Sequence, residues 1–210
     1  MKPLLILDCD EVILEFAAPF ARWLREARDI ELRFDSFALV GNMRHLADGR
    51  PVDMQDFPPL LDGFFEHGQH LQAPAEDAIR VLTDLSHDMD LVVLTNIPAA
   101  YRDIRLSMLK GLGLDVPVFA NDGPKGRMVA ELAGDRRAVF VDDLPPHHSS
   151  AAKHAPAVGR LHMVADATLR ALIPAAPDAH VRIDRWAEAE HWVRNYLAEA
   201  RGKEAKGPVG

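Results

Sequence analysis

Hydrophobic residues in this chain gather in short unbroken runs. The clearest are Leu4-Leu5-Ile6-Leu7, Leu91-Val92-Val93-Leu94 and Ala138-Val139-Phe140-Val141, with a weaker Leu161-His162-Met163-Val164. A run that is apolar at every position, rather than at every second one, is buried on both faces, as parallel strands between helices are. Elsewhere the period is helical. Ala78, Val81, Leu82 and Leu85 recur at helical spacing, a further helix is expected over Tyr101 to Leu112, and Trp186, Ala189, Val193, Tyr196 and Leu197 share one face of a C-terminal helix over about 185–200. Strands alternating with helices predict an open, Rossmann-like α/β fold, its mainly parallel sheet covered by helices on both faces. A fifth run, Val116-Pro117-Val118-Phe119, fits a strand at an edge or a strand start, because proline cannot donate to a ladder.

The alternation breaks between residues 15 and 72. Phe16, Phe20, Trp23, Leu24 and Ala27 form one helical stripe, and Phe57, Leu60, Leu61, Phe64 and Phe65 form another. Two amphipathic helices with a polar connection, inserted after the first strand, predict a small, mainly helical cap. The expected organisation is a core over 1–14 and 73–200, the cap over 15–72, and a flexible tail over 201–210, where apolar residues almost vanish.

A chain of 210 residues can bury a core of its own without a disulfide or a structural metal. Cys9 is the only cysteine, which excludes an intrachain disulfide and a multi-cysteine zinc site. With 24 Lys+Arg against 32 Asp+Glu and a net charge of −8, the chain lacks the basic surface that a nucleic-acid polymer or an anionic membrane requires. The N-terminal apolar run is cut off at Asp8 with no cleavage site behind it, and no run approaches the ~20 apolar residues of a membrane span. These features predict a cytoplasmic protein with no membrane partner. They leave its oligomeric state open.

Each buried run ends in polar residues. Leu4 to Leu7 is followed by Asp8-Cys9-Asp10-Glu11, Leu91 to Leu94 by Thr95-Asn96, and Ala138 to Val141 by Asp142-Asp143. Ligands of open α/β sheets bind beyond the carboxyl ends of the strands. Converging there, Asp8, Asp10, Asp142 and Asp143 would repel one another unless a hard divalent cation sat among them. Magnesium fits, since it is held by a few carboxylates, waters and substrate phosphate. Singly, these residues have ordinary uses as helix caps, turn formers and a solvated loop lysine.

Taken in order they resemble the motifs of the haloacid dehalogenase-like hydrolase superfamily, whose members are mostly magnesium-dependent phosphatases. Leu5-Ile6-Leu7-Asp8-Cys9-Asp10-Glu11-Val12 is similar to the first motif, Val93-Leu94-Thr95-Asn96 to the second, Lys125 to the lysine of the third, and Val139-Phe140-Val141-Asp142-Asp143 to the fourth. The resemblance spans Leu4 to Asp143. It implies hydrolysis of a small phosphorylated molecule through an aspartyl-phosphate on Asp8, with Asp10 as general acid and base. It assigns phosphate binding to Thr95, Asn96 and Lys125. Magnesium binding goes to Asp8, Asp142 and Asp143, with the backbone carbonyl of Asp10.

Glu11 stands where the family commonly has glycine, and either narrows the turn into the cap or touches the substrate side. Arg44 and His45, with Asn42 and Arg50, lie in the polar stretch of the cap and are candidates for contact with the leaving group. His147, His148, His154 and His162 lack the spacing of a zinc site and are expected at the surface. Cys9, between two acids, is expected to have a raised thiol pKa and no nucleophilic role. Three alternatives accompany the phosphatase reading. The segment Asp8 to Trp23 is also similar to the opening of deoxyribonucleotidases, which admits nucleotide monophosphates as substrates. Carbon–halogen hydrolysis also occurs in the family, but Asp10 and the Asp142-Asp143 pair argue against it. The last is a binding module without turnover.

Overall fold

The run Leu4–Leu7 forms strand β1, all four of its side chains buried. In the computed structural model, which describes residues 1–36 and 38–205, β1 pairs in parallel with Asp90–Thr95 (β4) on one side and Ala138–Asp142 (β6) on the other. Val118–Ala120 (β5) flanks β4, while Gly159–His162 (β7) and Val181–Arg182 (β8) continue the sheet beyond β6. The six strands run in the order β5-β4-β1-β6-β7-β8, every pairing parallel. The run containing Pro117 is thus an edge strand that begins just after the proline.

Alternate side chains serve opposite layers. Leu5, Leu7, Val93, Val139 and Val141 pack on one face with Ala78–Ser86 (α3), Arg102–Gly111 (α4) and Trp186–Ala205 (α8). Leu4, Ile6, Leu94 and Phe140 pack on the other face with Gly126–Ala133 (α5) and Pro145–His154 (α6). Trp186 Nε1 donates to the Val12 carbonyl at 2.9 Å, which ties the C-terminal helix to the loop after β1.

Three elements of the core were not evident from the pattern. Helix α6 begins at Pro145-Pro146, where a turn reads most naturally; proline at the first helical positions lacks only an N–H that the helix would not use. The two-residue β8 and the four-residue helix Ala167–Arg170 (α7) are too short to show a period. The backbone of α8 continues to Ala205, into the segment expected as a tail, and residues 206–210 lie outside the described residues. Among the described residues, no helix is long and apolar enough to cross a membrane.

Between β1 and α3 the chain makes the expected insertion. Its helices Ala17–Arg28 (α1) and Phe57–His67 (α2) carry the two aromatic stripes. Phe64 meets Phe16, Phe20 and Trp23 edge-on at 5.4, 5.3 and 6.0 Å between ring centroids. The insertion also holds an antiparallel ribbon of Ile30–Leu32 (β2) and Met43–His45 (β3), which the polar connection did not announce. Each strand has three residues, too few to alternate visibly, yet Ile30, Leu32 and Met43 join the aromatic cluster. The chain leaves and returns side by side, with Glu15 N–H donating to Ala73 O and Ala75 N–H to Ile13 O, both at 2.9 Å.

Helices α5 and α6 approach so closely that a methyl group on Gly126 would lie 2.1 Å from the Ser150 carbonyl oxygen. Backbone cannot rotate away as a side chain can, so Gly126→Ala must push the helices apart. The expected loss of stability is about 1–3 kcal/mol, measurable as a lowered urea midpoint.

Candidate active site

Parallel register brings the polar strand ends together. Leu7 pairs with Val93 and with Val141, and the Asp8 N–H donates to Val141 O at 2.9 Å, so Asp8 follows directly on β1 beside Asp142, the last residue of β6. Thr95 closes β4 on the other side. Lys125, immediately before α5, reaches in from the α5/α6 layer. Its Nζ lies 2.8 Å from Asp8 Oδ1 and 2.7 Å from Asp142 Oδ2. Asp8 Oδ1 also accepts from Cys9 N–H at 2.7 Å, and Asp142 Oδ1 from Leu144 N–H at 2.9 Å. Asp8, Asp142 and Asp143 are all buried and can each present an oxygen within 4.8 Å of the others.

Burial raises the pKa of Asp8 to about 7, with Lys125 opposing and Asp142 and Asp10 adding to the rise. Burial, followed by the charges of Asp142, Asp8 and Glu11, raises Asp143 well above the usual carboxylate range. Burial acts on Asp142 in the same sense, but Lys125, with His147 and His148, outweighs it and holds Asp142 low. Lys125 stays protonated despite its burial because Asp142 and Asp8 flank it. Ionising all three carboxylates against the one ammonium would leave two negative charges in a buried space, and burial together with that repulsion raises Asp8 and Asp143. An all-oxygen donor set with that excess fits a hard divalent cation such as magnesium.

Asp10 is held by residues that the motifs did not flag. Arg105 of α4 is fully buried and pairs with it twice, Nη1 to Oδ1 at 2.8 Å and Nη2 to Oδ2 at 3.2 Å. Gln72, on the returning linker of the insertion, donates from one nitrogen to Asp10 Oδ1 at 2.7 Å and to Glu15 O at 3.0 Å. The guanidinium also lies 5.9 Å from the Phe65 ring centroid and 3.2 Å from Cys9 Sγ. One signal for Arg105 was present in the sequence: it stands four residues before Leu109, on the inward face of α4. Burial, then Asp10 and Asp8, pushes the Cys9 thiol up to about 12, against the pull of Arg105.

Glu11 adopts φ 59°, the left-handed region that glycine occupies without strain. Its Oε1 accepts from the N–H groups of Phe16 and Ala17 at 2.9 and 2.7 Å, and its Oε2 from Asp166 N–H at 2.9 Å. Burial pushes its carboxyl up to about 7 against these three donors. Although Glu11 borders the cavity, both its oxygens are engaged in shaping the turn into the insertion.

The histidines correct the surface expectation, for His147, His148 and His162 are buried and only His154 is partly exposed. His148 Nε2 donates to the Asp142 carbonyl at 2.9 Å and His162 Nε2 to the Asp143 carbonyl at 2.8 Å. His162 Nδ1 accepts from Ala176 N–H, which fixes that tautomer. The two rings thus brace the backbone of the acidic pair. They face inward because α6 and β7 pack against the end of β6, an arrangement that spacing alone does not reveal.

A cavity of about 460 Å³ opens above the cluster. Asp8, Asp10, Thr95, Asn96 and Asp143 border it; Asn96 is exposed, donates to Gly123 O at 3.0 Å and accepts from Asn121 Nδ2 at 2.8 Å. Arg44 and His45 do not line it. Arg44 donates to Gly41 O and Met43 O, Asn42 to Ser36 O and Ala38 O, and Arg50 pairs with Asp48, so these polar groups serve the insertion's own loops. The cap contributes apolar side chains to the cavity instead, among them Leu39, Val40, Phe57, Leu61 and Phe65.

The sequence matches no family model and no curated protein. Solved structures do share the fold. The HAD-hydrolase YfnB from Bacillus subtilis, bound to magnesium, superposes with a TM-score of 0.65 at 17% identity, covering 91% of this chain and 98% of that one. A haloacid dehalogenase-like family hydrolase from Streptococcus pneumoniae gives 0.62 at 11% identity, covering 91% and 98%. A predicted phosphoglycolate phosphatase from Haemophilus somnus gives 0.59 at 13% identity, covering 91% and 97%. At these identities the likeness is one of architecture: the chain has the fold of the haloacid dehalogenase-like hydrolases, with its buried acidic cluster at the carboxyl ends of the strands.

Proposed function

We propose that this protein is a magnesium-dependent phosphomonoester hydrolase that acts on a small phosphorylated molecule through an aspartyl-phosphate on Asp8. The observation that carries this reading is the buried Asp8–Lys125–Asp142 bridge beside Asp143. It combines a fixed nucleophile, a point charge for phosphoryl oxygens and a cation site in one place. Because Cys9 N–H and Lys125 hold Oδ1, Asp8 presents Oδ2 to the phosphorus. Attack forms the P–O bond to Asp8 and breaks the bond to the ester oxygen, which takes a proton from Asp10. Asp10 then accepts a proton from the water that hydrolyses the acyl phosphate, and Arg105 and Gln72 keep its carboxyl in place for both steps. Thr95 donates its hydroxyl to a phosphoryl oxygen. Asp8, Asp142, Asp143 and the Asp10 carbonyl would hold magnesium, which neutralises charge as a phosphate dianion approaches. Residues 15–72 serve as the lid that keeps bulk water from the intermediate. Dehalogenation would need neither Asp10 nor the cation site, so the acidic surplus favours phosphoryl transfer.

Hydrolysis of an aryl phosphate in magnesium should fall at least about 10³-fold in Asp8→Asn, with an unchanged circular dichroism spectrum. Turnover near the wild-type rate would remove Asp8 from the reaction.

A second test uses the raised acids. Burial raises folded Asp8 from the ordinary value of 3.8 to about 7 and shifts Asp143 in the same direction, so across the Asp8 range the folded state holds more protons than the unfolded one. The stability this contributes is complete below the ordinary value and is lost as the pH rises through 7. In chelator, the melting temperature should therefore decline from about pH 5 to about pH 8, and magnesium should abolish most of the decline. A profile that is flat in chelator and indifferent to magnesium would contradict the cation site.

A further inference from the structure

The cavity has a polar floor and an apolar wall, and the wall cannot answer a second charge on a substrate. Phe16, Leu39, Val40, Phe57, Leu61 and Phe65 form its cap side. Leu169 and Ile173, in and after α7, extend the apolar surface on the core side. Among the described residues, every carboxylate or cation lining the cavity is a carboxylate: Asp8, Asp10, Glu11 and Asp143. The cations that touch the lining acids are already engaged, Lys125 between Asp8 and Asp142 and Arg105 on Asp10. His147 also borders the space, and burial lowers its pKa, which favours the neutral ring.

On the phosphatase reading, we infer that the leaving group is uncharged and largely apolar, an aryl or bulky alkyl alcohol rather than a hydroxy acid or a sugar. A carboxylate against this wall would lose its hydration with no cation in return, and would lie near the acidic floor. Sugar hydroxyls fare little better, since Glu11 is engaged with three amides and Asn96 with Gly123 and Asn121. The volume points the same way. A two-carbon acid would leave most of the 460 Å³ to water held against phenylalanine and leucine, whereas an aromatic ring would displace that water and pack edge-on or offset against Phe57 and Phe65.

Calorimetry with the full chain in magnesium tests this without relying on turnover. The probes are benzylphosphonate and phosphonoacetate, neither of which has an ester bond to cleave. Benzylphosphonate should bind at least about tenfold more tightly. Leu39→Lys, at a partly exposed loop position, should narrow or reverse that ratio by supplying the missing cation. Equal or tighter binding of phosphonoacetate by the wild type would overturn the inference, as would no binding of either probe. Rates on benzyl phosphate and phosphoglycolate separate the two claims. Hydrolysis of both with phosphoglycolate preferred overturns the apolar leaving group and keeps the phosphatase. Selective binding of benzylphosphonate with hydrolysis of neither ester keeps the apolar site and overturns the phosphatase.

Discussion

The Lys125 ammonium, enclosed between Asp8 and Asp142, is the interaction on which the site depends. Three carboxylates converge there because parallel strands of matched register end at one level, and without a cation their mutual repulsion would oppose the fold that gathers them. Lys125 can occupy that place only because α5 starts against α6 with no side chain at Gly126. A backbone contact on one face of the sheet thereby bears on the charge balance at the carboxyl ends of its central strands. Ionising all three acids would leave an excess of negative charge beside Lys125, which a divalent ion among their oxygens would offset.

Asp10 belongs to a different circuit. Its carboxyl is shared between Arg105 of the core and Gln72 of the returning linker, and Gln72 also grips the outgoing linker at Glu15. Glu11, next in sequence, ties the start of α1 to the loop at Asp166. The residue proposed to move protons is therefore bonded to the returning linker of the insertion. Asp10 is thereby tied to both linkers of the insertion as well as to the core.

The structures that share this fold include one bound to magnesium and one predicted to act on phosphoglycolate, all below a fifth in identity. A shared fold does not by itself carry a shared function, which lives in the site built on it. Here the wall is built from the same aromatic and aliphatic residues that form the insertion's own core, with Phe16 and Phe65 belonging to both. The side chains that hold the insertion together therefore also shape the cavity.

The sheet and the positions of Asp8, Thr95 and Asp142 were legible in the sequence because a strand buried on both faces writes itself as an unbroken apolar run, and the end of the run marks the end of the strand. The aromatic stripes of α1 and α2 were legible for the related reason that a helix face repeats. The role of Arg105 and the burial of the histidines were not, for helical spacing places Arg105 on the inward face of α4 but does not show its partner, which lies 95 residues away at Asp10. Leu39 and Val40 sit in a loop with no period at all, so only the folded chain shows that they face the cavity, while Arg44 and His45 do not. Local pattern determined which elements form and where their polar ends fall. Tertiary packing alone decided which charges meet and which side chains wall the cavity, since both depend on contacts between segments that are remote along the chain.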